Sequence, residues 1–373
     1  MRNVAVFGAG TDPARQRFRL EGIEVPCAVI DTPDTTIDLR APGNTNKVIV
    51  RTIAFSVNYR DRALILAVAL RTPPNAFFPI GSDFVARVEA VGPNVRTLVP
   101  GDRVIPNCAY PDSGVPGVRP GIPVNSASKE LQAFHEAKLV KIPDAMTDDV
   151  AAAFSIGGQT AFSMVRRARI RPGERILITG GTSNTSLFLI RALGDLARAA
   201  WVITGSAHQV SRLRALGVAD VLHIDRSAAS FAEHPVVADV VRTHGGFDVV
   251  CDPYLDVNLV AATEVMRPGG RYLSCGVADQ HSHLGLAAPA ARSGAPSGAT
   301  LRILMGNLEI LGNCLGSDDD LRRAMAAHAA GAFPVSIDSV FGGRNASRFL
   351  DRSYNAVDRF GKVVFRYAEA AVL

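Results

Sequence analysis

Residues 171–190, RPGERILITGGTSNTSLFLI, decide the fold. They contain a Pro-Gly turn, a short apolar strand over Ile176–Ile178, a Gly180-Gly181 bend and a helix that begins near Leu187. A strand, a glycine turn and a helix N-terminus form the shape that binds a dinucleotide pyrophosphate, because backbone N–H groups and the helix dipole converge there. The stretch therefore predicts a nucleotide site.

The glycine spacing of this site is altered. A G-x-x-G-x-x-G pattern would place glycines at 180, 183 and 186, but the chain has Gly180, Ser183 and Ser186. In one interpretation, polar side chains replace bare backbone as phosphate ligands: Thr182, Ser183, Asn184, Thr185 and Ser186. In another, the serines fill the site and the cofactor is lost or changed. In a third, they only cap the helix. We favour retained binding.

Composition limits the function classes. The chain of 373 residues is 47% hydrophobic and 20% charged, which is ordinary for a globular protein of about two domains. Its net charge of +5 is not gathered into a basic run, which argues against nucleic-acid binding. The five cysteines are far apart and form no C-x-x-C, so we expect a reduced cytoplasmic protein without a structural zinc. The apolar run 63–70 is too short to cross a membrane.

The pattern of apolar, proline and glycine residues changes near residue 155. Before it, short β-rich runs are punctuated by Pro and Gly: 4–7, 48–53, 84–91, 103–105 and 139–142. The N-terminal VAVFGAG within this region is interpreted as a strand that enters a surface turn. After it, apolar strands alternate with helical patterns, which predicts an α/β fold with a doubly wound parallel sheet of about six strands. The tract 278–300, with His281 and His283, is predicted to be a mobile loop over a cleft or a surface insertion.

Ten motifs occur in order along nearly the whole chain: SVNYRD (56–61), GSDFVARVEAVGPNV (81–95), PGDRVIP (100–106), KLVKIPD (138–144), FSIGGQTAF (154–162), RPGERILITGG (171–181), LRALGVADVL (213–222), FDVVCDP (247–253), MRPGGRYLSCG (266–276) and FGKVV (360–364). In these the chain resembles the medium-chain dehydrogenase/reductase superfamily, in its zinc-free quinone oxidoreductase and enoyl reductase branch. The resemblance implies a mostly-β GroES-like catalytic domain, 1–155 and 317–373, around an inserted Rossmann domain, 156–316. It also implies a homodimer and hydride transfer from NAD(P)H to a small-molecule acceptor, which we expect to be apolar and conjugated.

The zinc-dependent members of that superfamily place Cys and a His-Glu pair at the NYRD and GSD strings. At these positions the chain has NYRD (58–61) and GSD (81–83), which contain neither a thiol nor an imidazole. The lobe near 100–125, where a structural zinc would need four cysteines, offers only Cys108. The sequence therefore predicts no catalytic or structural metal.

Cofactor choice is predicted at the second Rossmann strand, WVITGS. Gly205-Ser206 follow where NAD-specific members place an acidic residue, and Arg212 is close behind. A hydroxyl beside a cation suits a 2′-phosphate, so NADPH is predicted. The alternative is that Arg212 only lies on an exposed helix face. The resemblance adds further cofactor candidates: Thr160 at the domain junction, Cys275 and Gly276 at the carboxyl edge of the sheet, and Lys362, whose other role would be to close a surface strand.

By resemblance, SVNYRD reaches the nicotinamide, which makes Asn58, Tyr59 and Asp61 the catalytic candidates. Asn58 is expected to orient substrate or ribose, and Tyr59 to donate a hydrogen bond or proton. Asp61 is alternatively an N-cap. Enoyl-thioester reductases of the superfamily carry a Gly-x-Tyr shortly afterwards, which is absent here, while Phe77 and Phe78 predict an apolar wall.

Two functions remain open at this point. The first is a zinc-independent, NADPH-dependent reductase of an activated alkene, enone or quinone, in a specialised pathway. The second is a non-redox lyase, cyclase or binding protein on the same scaffold with an altered or lost nucleotide site.

Overall fold

The computed structural model describes residues 1–12, 14–34, 36–225, 230–278 and 296–367. The chain forms two compact units, the first made of Met1–Ile156, Ser317–Met325 and Val335–Leu373 and the second of Gly157–Gly316 and Ala326–Pro334. We call them the first and second unit.

The N-terminal part of the first unit is mostly β-structure. Its strands and helices are β1 Arg2–Phe7, β2 Arg17–Leu20, β3 Ile23–Asp31, β4 Lys47–Ser56, α1 Asp61–Arg71, β5 Phe77–Pro79, β6 Asp83–Val91, β7 Arg103–Pro106, β8 Leu131–His135, β9 Leu139–Lys141 and α2 Asp148–Ala151. β1 ends in a turn at Ala9-Gly10, as the sequence predicted. Along β4, KVIVRTIAFS, buried and partly buried residues alternate, as expected for a strand with one face on the core.

The second unit alternates helices and strands. Its elements are α3 Ser155–Ala168 (from the unit boundary), β10 Ile176–Ile178, α4 Asn184–Ala192, β11 Ala200–Thr204, α5 Val210–Arg214, β12 Asp220–His223, α6 Pro235–His244, β13 Phe247–Asp252, α7 Leu255–Val265, β14 Met266–Ser274, α8 Pro296–Met305 and β15 Glu309–Gly312. The six strands pair in parallel in the order β12-β11-β10-β13-β14-β15, which confirms the predicted parallel sheet. The strand order reverses between β10 and β13, and ligands of such sheets bind at the carboxyl ends beside that reversal.

The last part of the chain returns to the first unit. Its elements are α9 Asp318–Ala329, β16 Ile337–Phe341, α10 Ala346–Tyr354 and β17 Lys362–Arg366. β17 pairs antiparallel with β4, which completes a seven-stranded sheet in the order β16-β17-β4-β6-β7-β9, with β8 also on β4. The other sheet of this unit has the order β2-β3-β1-β5. Phe349 of α10 packs against Phe55 of β4 and Phe365 of β17, so the returning segment supplies part of the core.

The predicted loop tract 278–300 is corrected at its end. α8 begins at Pro296, because proline suits the first turn of a helix, where its missing N–H is not needed. Residues 296–300 are therefore helical rather than loop. His281 and His283 lie outside the described residues.

An ion pair between β16 and α10 gives a stability prediction for the first unit. Arg352 donates from Nε and Nη2 to the two carboxylate oxygens of Asp338, at 2.7 and 2.8 Å, and the Asp338 side chain is 4% exposed. Burial opposes ionisation, but hydrogen bonds from Arg352 and the Phe360 N–H outweigh it and hold the pKa of Asp338 below its usual 3.8. We expect Asp338→Asn to lower the free energy of unfolding by about 1.5–3 kcal/mol at pH 7, measured by urea denaturation.

The same ion pair determines how the free energy of unfolding depends on pH. A carboxyl with a lowered folded-state pKa stabilises the protein above pH 3.8 and loses that contribution as the pH falls through the lower value. The stability difference between wild type and Asp338→Asn should therefore shrink below pH 3.8. Asp149→Asn is the control, because the Arg366–Asp149 pair is 43% and 28% exposed and should contribute only about 0–1 kcal/mol. Equal losses in the two variants would contradict the prediction.

Candidate functional site

The first unit gathers a buried polar cluster from three distant segments of the chain. The segments are the 57–60 loop that follows β4, Ser82-Asp83 at the start of β6, and Lys362 at the start of β17. β4 pairs with both of the other strands, Ser56 opposite Asp83 and Val364 opposite Ser56, which brings the segments together. We call these residues, with Asp61, the polar cluster.

Lys362 is the centre of this cluster. Its side-chain ammonium donates to Asn58 Oδ1 at 2.8 Å, to the Val57 carbonyl at 3.1 Å and to Asp83 Oδ2 at 3.3 Å. Lys362 is 1% exposed and Asp83 is 0% exposed. Burial lowers the pKa of Lys362, although Asp83 and Asp61 act against that shift. The expectation that Lys362 closes a surface strand is wrong, because its side chain points inward into these oxygens.

The two predicted catalytic residues Asn58 and Asp61 are engaged within the protein. The Asn58 amide accepts from Lys362 through Oδ1 and donates from Nδ2 to Asp83, at 2.8 Å, and to Ser82, at 3.1 Å. Asp61, 2% exposed, is the first residue of α1, and its carboxylate accepts from the Asn58 N–H and the Ser82 hydroxyl. Burial raises the pKa of Asp61. The geometry thus favours the structural, cap-like alternative for Asp61, and its catalytic role stays a prediction.

Tyr59 lies in the same loop but is only half-buried. The Arg62 guanidinium stacks over its ring at 4.4 Å and also pairs with Glu21. A cation over the ring favours a fixed ring orientation. Tyr354 donates its hydroxyl to the Asn58 carbonyl at 3.2 Å, so a second tyrosine holds the backbone just before Tyr59.

Sequence reasoning missed four members of this environment: Arg60, Ser82, Asp83 and Cys108. Arg60 donates to both Asp61 and Asn125 at 2.9 Å. Cys108 is fully buried, and burial, together with nearby Asp83, raises the pKa of its thiol, so the thiol stays protonated at neutral pH. The GSD string, 81–83, was used only to show that metal ligands are missing there. Its carboxylate, Asp83, was the signal that could have pointed to this cluster.

The second unit forms the predicted turn after β10. Gly180 has φ +55°, and a Cβ added to it would lie 3.1 Å from Pro253 Cγ and 3.3 Å from Tyr254 Cε2. A Cβ at Gly181 would lie 2.4 Å from Val202 Cγ1, so no side chain fits there. The two glycines are required by the turn itself, and the Pro253-Tyr254 segment packs against it.

The two serines of the altered spacing have different roles. Ser183 is the N-cap of α4: its hydroxyl oxygen accepts from the Ser186 N–H at 3.1 Å and its hydroxyl donates to Ser186 Oγ. Ser186, 1% exposed, donates in turn to the Thr179 carbonyl at 2.9 Å. Ser186 therefore connects α4 to the end of β10, which favours a structural role over its predicted role as a phosphate ligand. α4 begins at Asn184, earlier than predicted, because Ser183 caps it.

Residues 182–185 remain partly exposed between the turn and α4. They are the hydroxyl and amide side chains that the sequence assigned to phosphate. Thr185 also hydrogen bonds with Cys275, and burial raises the pKa of that thiol to about 12, which rules out a ready thiolate nucleophile. Gly276 accepts from Leu255 N–H at 2.9 Å, and a Cβ on it would lie 2.8 Å from the Pro253 carbonyl.

A buried carboxylate that sequence reasoning missed supports this turn. Asp252, at the end of β13, is 0% exposed. Its oxygens accept from the Tyr254 N–H at 3.1 Å, from Asn258 Nδ2 at 2.8 Å and from the hydroxyls of Thr179 and Tyr272. Asp252 therefore ties the ends of β10, β13 and β14 together below the Gly180 turn.

The remaining predicted cofactor residues are all in the second unit. Thr160, on α3, is 8% exposed. Ser206 follows β11, is 9% exposed and donates its N–H to Thr204 Oγ1 at 3.1 Å. Arg212 lies on the exposed side of α5.

Two kinds of feature are absent from the described residues. They contain no group of three or more His, Cys, Asp or Glu side chains placed to hold a metal ion. Within the same ranges, no helix has the length and apolar character needed to cross a bilayer.

Comparison with known proteins supports this fold. Residues 44–144 match the alcohol dehydrogenase GroES-like domain. The chain is similar to a mycocerosic acid synthase-like polyketide synthase of Mycobacterium tuberculosis, 26% identical over 250 residues, which covers 65% of this chain and 11% of that protein. The chain spans about a tenth or less of the curated polyketide synthases that it matches.

Solved structures cover nearly the whole chain. An NAD-dependent alcohol dehydrogenase superposes with a TM-score of 0.73 at 22% identity, over 99% of this chain and 100% of the other. The Escherichia coli quinone oxidoreductase complexed with NADPH superposes with a TM-score of 0.70 at 15% identity, over 98% and 100%. These likenesses show that the chain has the fold of the alcohol dehydrogenases and quinone oxidoreductases, with a GroES-like domain over residues 44–144.

Proposed function

We propose that the protein is an NADPH-dependent, zinc-independent reductase that transfers hydride to an activated alkene, enone or quinone. The observation that carries the proposal is the Gly180-Gly181 turn, which leads into the capped N-terminus of α4. The match of residues 44–144 to the alcohol dehydrogenase GroES-like domain and the likeness in fold to a quinone oxidoreductase complexed with NADPH support it.

The residues at this turn fit a dinucleotide. The turn lies at the carboxyl end of β10, beside the reversal of strand order, where such sheets bind ligands. Gly180 and Gly181 keep the backbone bare, and α4, nine residues long, directs its positive end to the same place. Thr182, Ser183, Asn184 and Thr185 would hold the pyrophosphate. When bound, the nicotinamide supplies a hydride.

The residues of the first unit would orient and protonate the acceptor. Tyr59 is the proposed proton or hydrogen-bond donor, because it is half-buried with its ring held by Arg62. Phe77 and Phe78, 43% and 38% exposed, would supply apolar contacts to a conjugated substrate.

Zinc independence is proposed from the polar cluster. The oxygens of Asn58 and Asp83 are already bonded to the Lys362 ammonium, which would repel a divalent cation at this place. NADPH rather than NADH is proposed from Ser206 and Arg212, which follow β11 where an acidic residue would select NADH. A homodimer is proposed through β15, the edge strand of the six-stranded sheet.

One observation favours the second candidate, a non-redox protein on this scaffold. The Tyr254 ring lies beside the Gly180 turn. An aromatic ring at the turn would compete with the pyrophosphate of a nucleotide for the same space. Ser186 also occupies the position at which the motif has its last glycine.

Titration with NADPH and NADH tests the proposal. We would follow nicotinamide fluorescence and binding heat, and then NADPH oxidation with a panel of enones and quinones. Tight binding of NADPH with weaker binding of NADH, and turnover of at least one acceptor, is the expected result. Binding of neither nucleotide would reject the proposal in favour of the non-redox candidate.

A double substitution tests what Ser183 and Ser186 contribute to nucleotide binding and to stability. In Ser183→Gly with Ser186→Gly, we expect NADPH affinity to stay within a few-fold of wild type, because three of the four proposed phosphate ligands, Thr182, Asn184 and Thr185, are kept. We expect the free energy of unfolding to fall by about 1–2 kcal/mol, because one cap and one buried hydrogen bond are lost. Calorimetric titration and urea denaturation measure the two effects. Nucleotide binding that appears only in the double variant would show that the natural chain has abandoned the nucleotide.

A further inference from the structure

We infer that Lys362 is a positioning residue, which fixes the 57–60 loop and, through it, the ring of Tyr59. The inference rests on the proposed function, because it assigns Tyr59 the role given above. It differs from the prediction that Lys362 contacts the cofactor.

The first step is the geometry of the ammonium. A lysine ammonium has three N–H donors, and here each has an oxygen acceptor: Val57 O, Asn58 Oδ1 and Asp83 Oδ2. Two of these acceptors belong to the loop, and the third belongs to the adjacent strand β6. Lys362 therefore joins the loop to the sheet.

The second step is that the Asn58 side chain transmits this constraint. Its amide is held on one side by Lys362 and on the other by Ser82 and Asp83, so its orientation is fully specified. Its backbone is held at the N–H by Asp61 and at the carbonyl by Tyr354. The residue directly before Tyr59 is thus fixed at every polar atom, and both polar atoms of its side chain contact Lys362 or Asp83.

The third step is the cost of the arrangement. Removing an ammonium from water is expensive, and a buried ion pair is not in itself a strong stabiliser compared with apolar packing. An apolar residue at position 362 would fill the space but would leave the Asp83 carboxylate and the side-chain oxygen Oδ1 of Asn58 without their cation. The lysine is therefore better explained by the geometry that it imposes on the loop than by stability.

Hydrogen exchange of the loop tests the inference without any turnover. We would compare wild type, Lys362→Met and the control Lys138→Met by mass spectrometry on the full chain. Lys138 is a second buried lysine of this unit, 8% exposed, whose ammonium donates to the carbonyls of Arg119 and Gly121. We expect the amides of residues 58–62 to exchange at least tenfold faster in Lys362→Met only. Unchanged exchange in that variant, or an equal increase in Lys138→Met, would overturn the inference.

Kinetics supply the second readout. In Lys362→Met we expect kcat to fall at least tenfold, with the Kd for NADPH unchanged, because the phosphate turn belongs to the second unit. In Lys362→Ala, which leaves the space of the side chain open, added ethylammonium should restore part of kcat, whereas it should not restore kcat in a variant that is only less stable. Lys362→Gln, which keeps a neutral donor, replaces Lys362→Met if the latter fails to fold and should show the same changes more weakly. A wild type that turns over no acceptor would reject the proposed function, whereas the exchange result would still decide the positioning role.

Discussion

Substituting Asp252 with alanine should lower the free energy of unfolding of the second unit by about 3–5 kcal/mol. The carboxylate is 0% exposed and accepts from four donors, two of them hydroxyls on the neighbouring strands β10 and β14. Without it, three side-chain donors lose a charged acceptor in the buried interior of the unit. They are the hydroxyls of Thr179 and Tyr272 and the amide of Asn258. Leaving buried donors unsatisfied costs more than the hydrogen bonds themselves contribute.

Urea denaturation followed by the fluorescence of Trp201, the one tryptophan of the chain, measures this loss within the same unit. Tyr272→Phe is a graded comparison, because it removes one of the four donors and should cost about 1–3 kcal/mol. Asp220→Ala is the control: its side chain lies on β12 of the same sheet and is 38% exposed, so the loss should stay below about 1 kcal/mol. A loss below 1 kcal/mol in Asp252→Ala would mean that the donors find other partners.

The same substitution should weaken NADPH binding. Asp252 fixes the residues 253–254 that pack against Gly180, so its removal loosens the turn proposed to hold the pyrophosphate. We expect at least a tenfold higher Kd at a temperature where the variant is still folded. An unchanged Kd would show that the turn is stable without this support.

The sequence predicted the parallel sheet more completely than the β-rich part of the chain. The residues of β10 were predicted correctly because three apolar residues stand between a Pro-Gly turn and a Gly-Gly bend. Strands β2 and β3 were missed, since RFRL and IEVPCAVID have mixed polarity and a proline, and become strands by pairing with each other and with β1. Such pairing depends on neighbours that local propensity does not reveal.

The polar cluster shows the same limit. Asn58, Tyr59 and Lys362 were all selected from the sequence, but their relation was not. Lys362 was predicted to contact the cofactor, or otherwise to close a surface strand, and neither interpretation placed it beside Asn58. Its burial depends on the pairing of β17 with β4, which joins residues about three hundred positions apart. No pattern near residue 362 contains that information.

Tyr59→Phe should reduce kcat by about 10²–10⁴-fold, because this is the usual contribution of one positioned proton donor. Only the hydroxyl is removed, so the ring contact with Arg62 and the hydrogen bonds of the Asn58 backbone are retained. The Kd for NADPH should not change, because the phosphate turn belongs to the other unit. Steady-state NADPH oxidation with the best acceptor of the panel, together with fluorescence titration, measures both quantities.

The matched control is Tyr354→Phe, which also removes one phenol hydroxyl from the first unit. Tyr354 donates to the Asn58 carbonyl, and its loss should loosen the loop and lower kcat by only a few-fold. A pH profile separates the two roles: if Tyr59 delivers the proton, the fall of kcat at alkaline pH in wild type should disappear in Tyr59→Phe and persist in Tyr354→Phe. Equal effects of the two substitutions would mean that Tyr59 shapes the loop, and the proton donor would have to be another group or water.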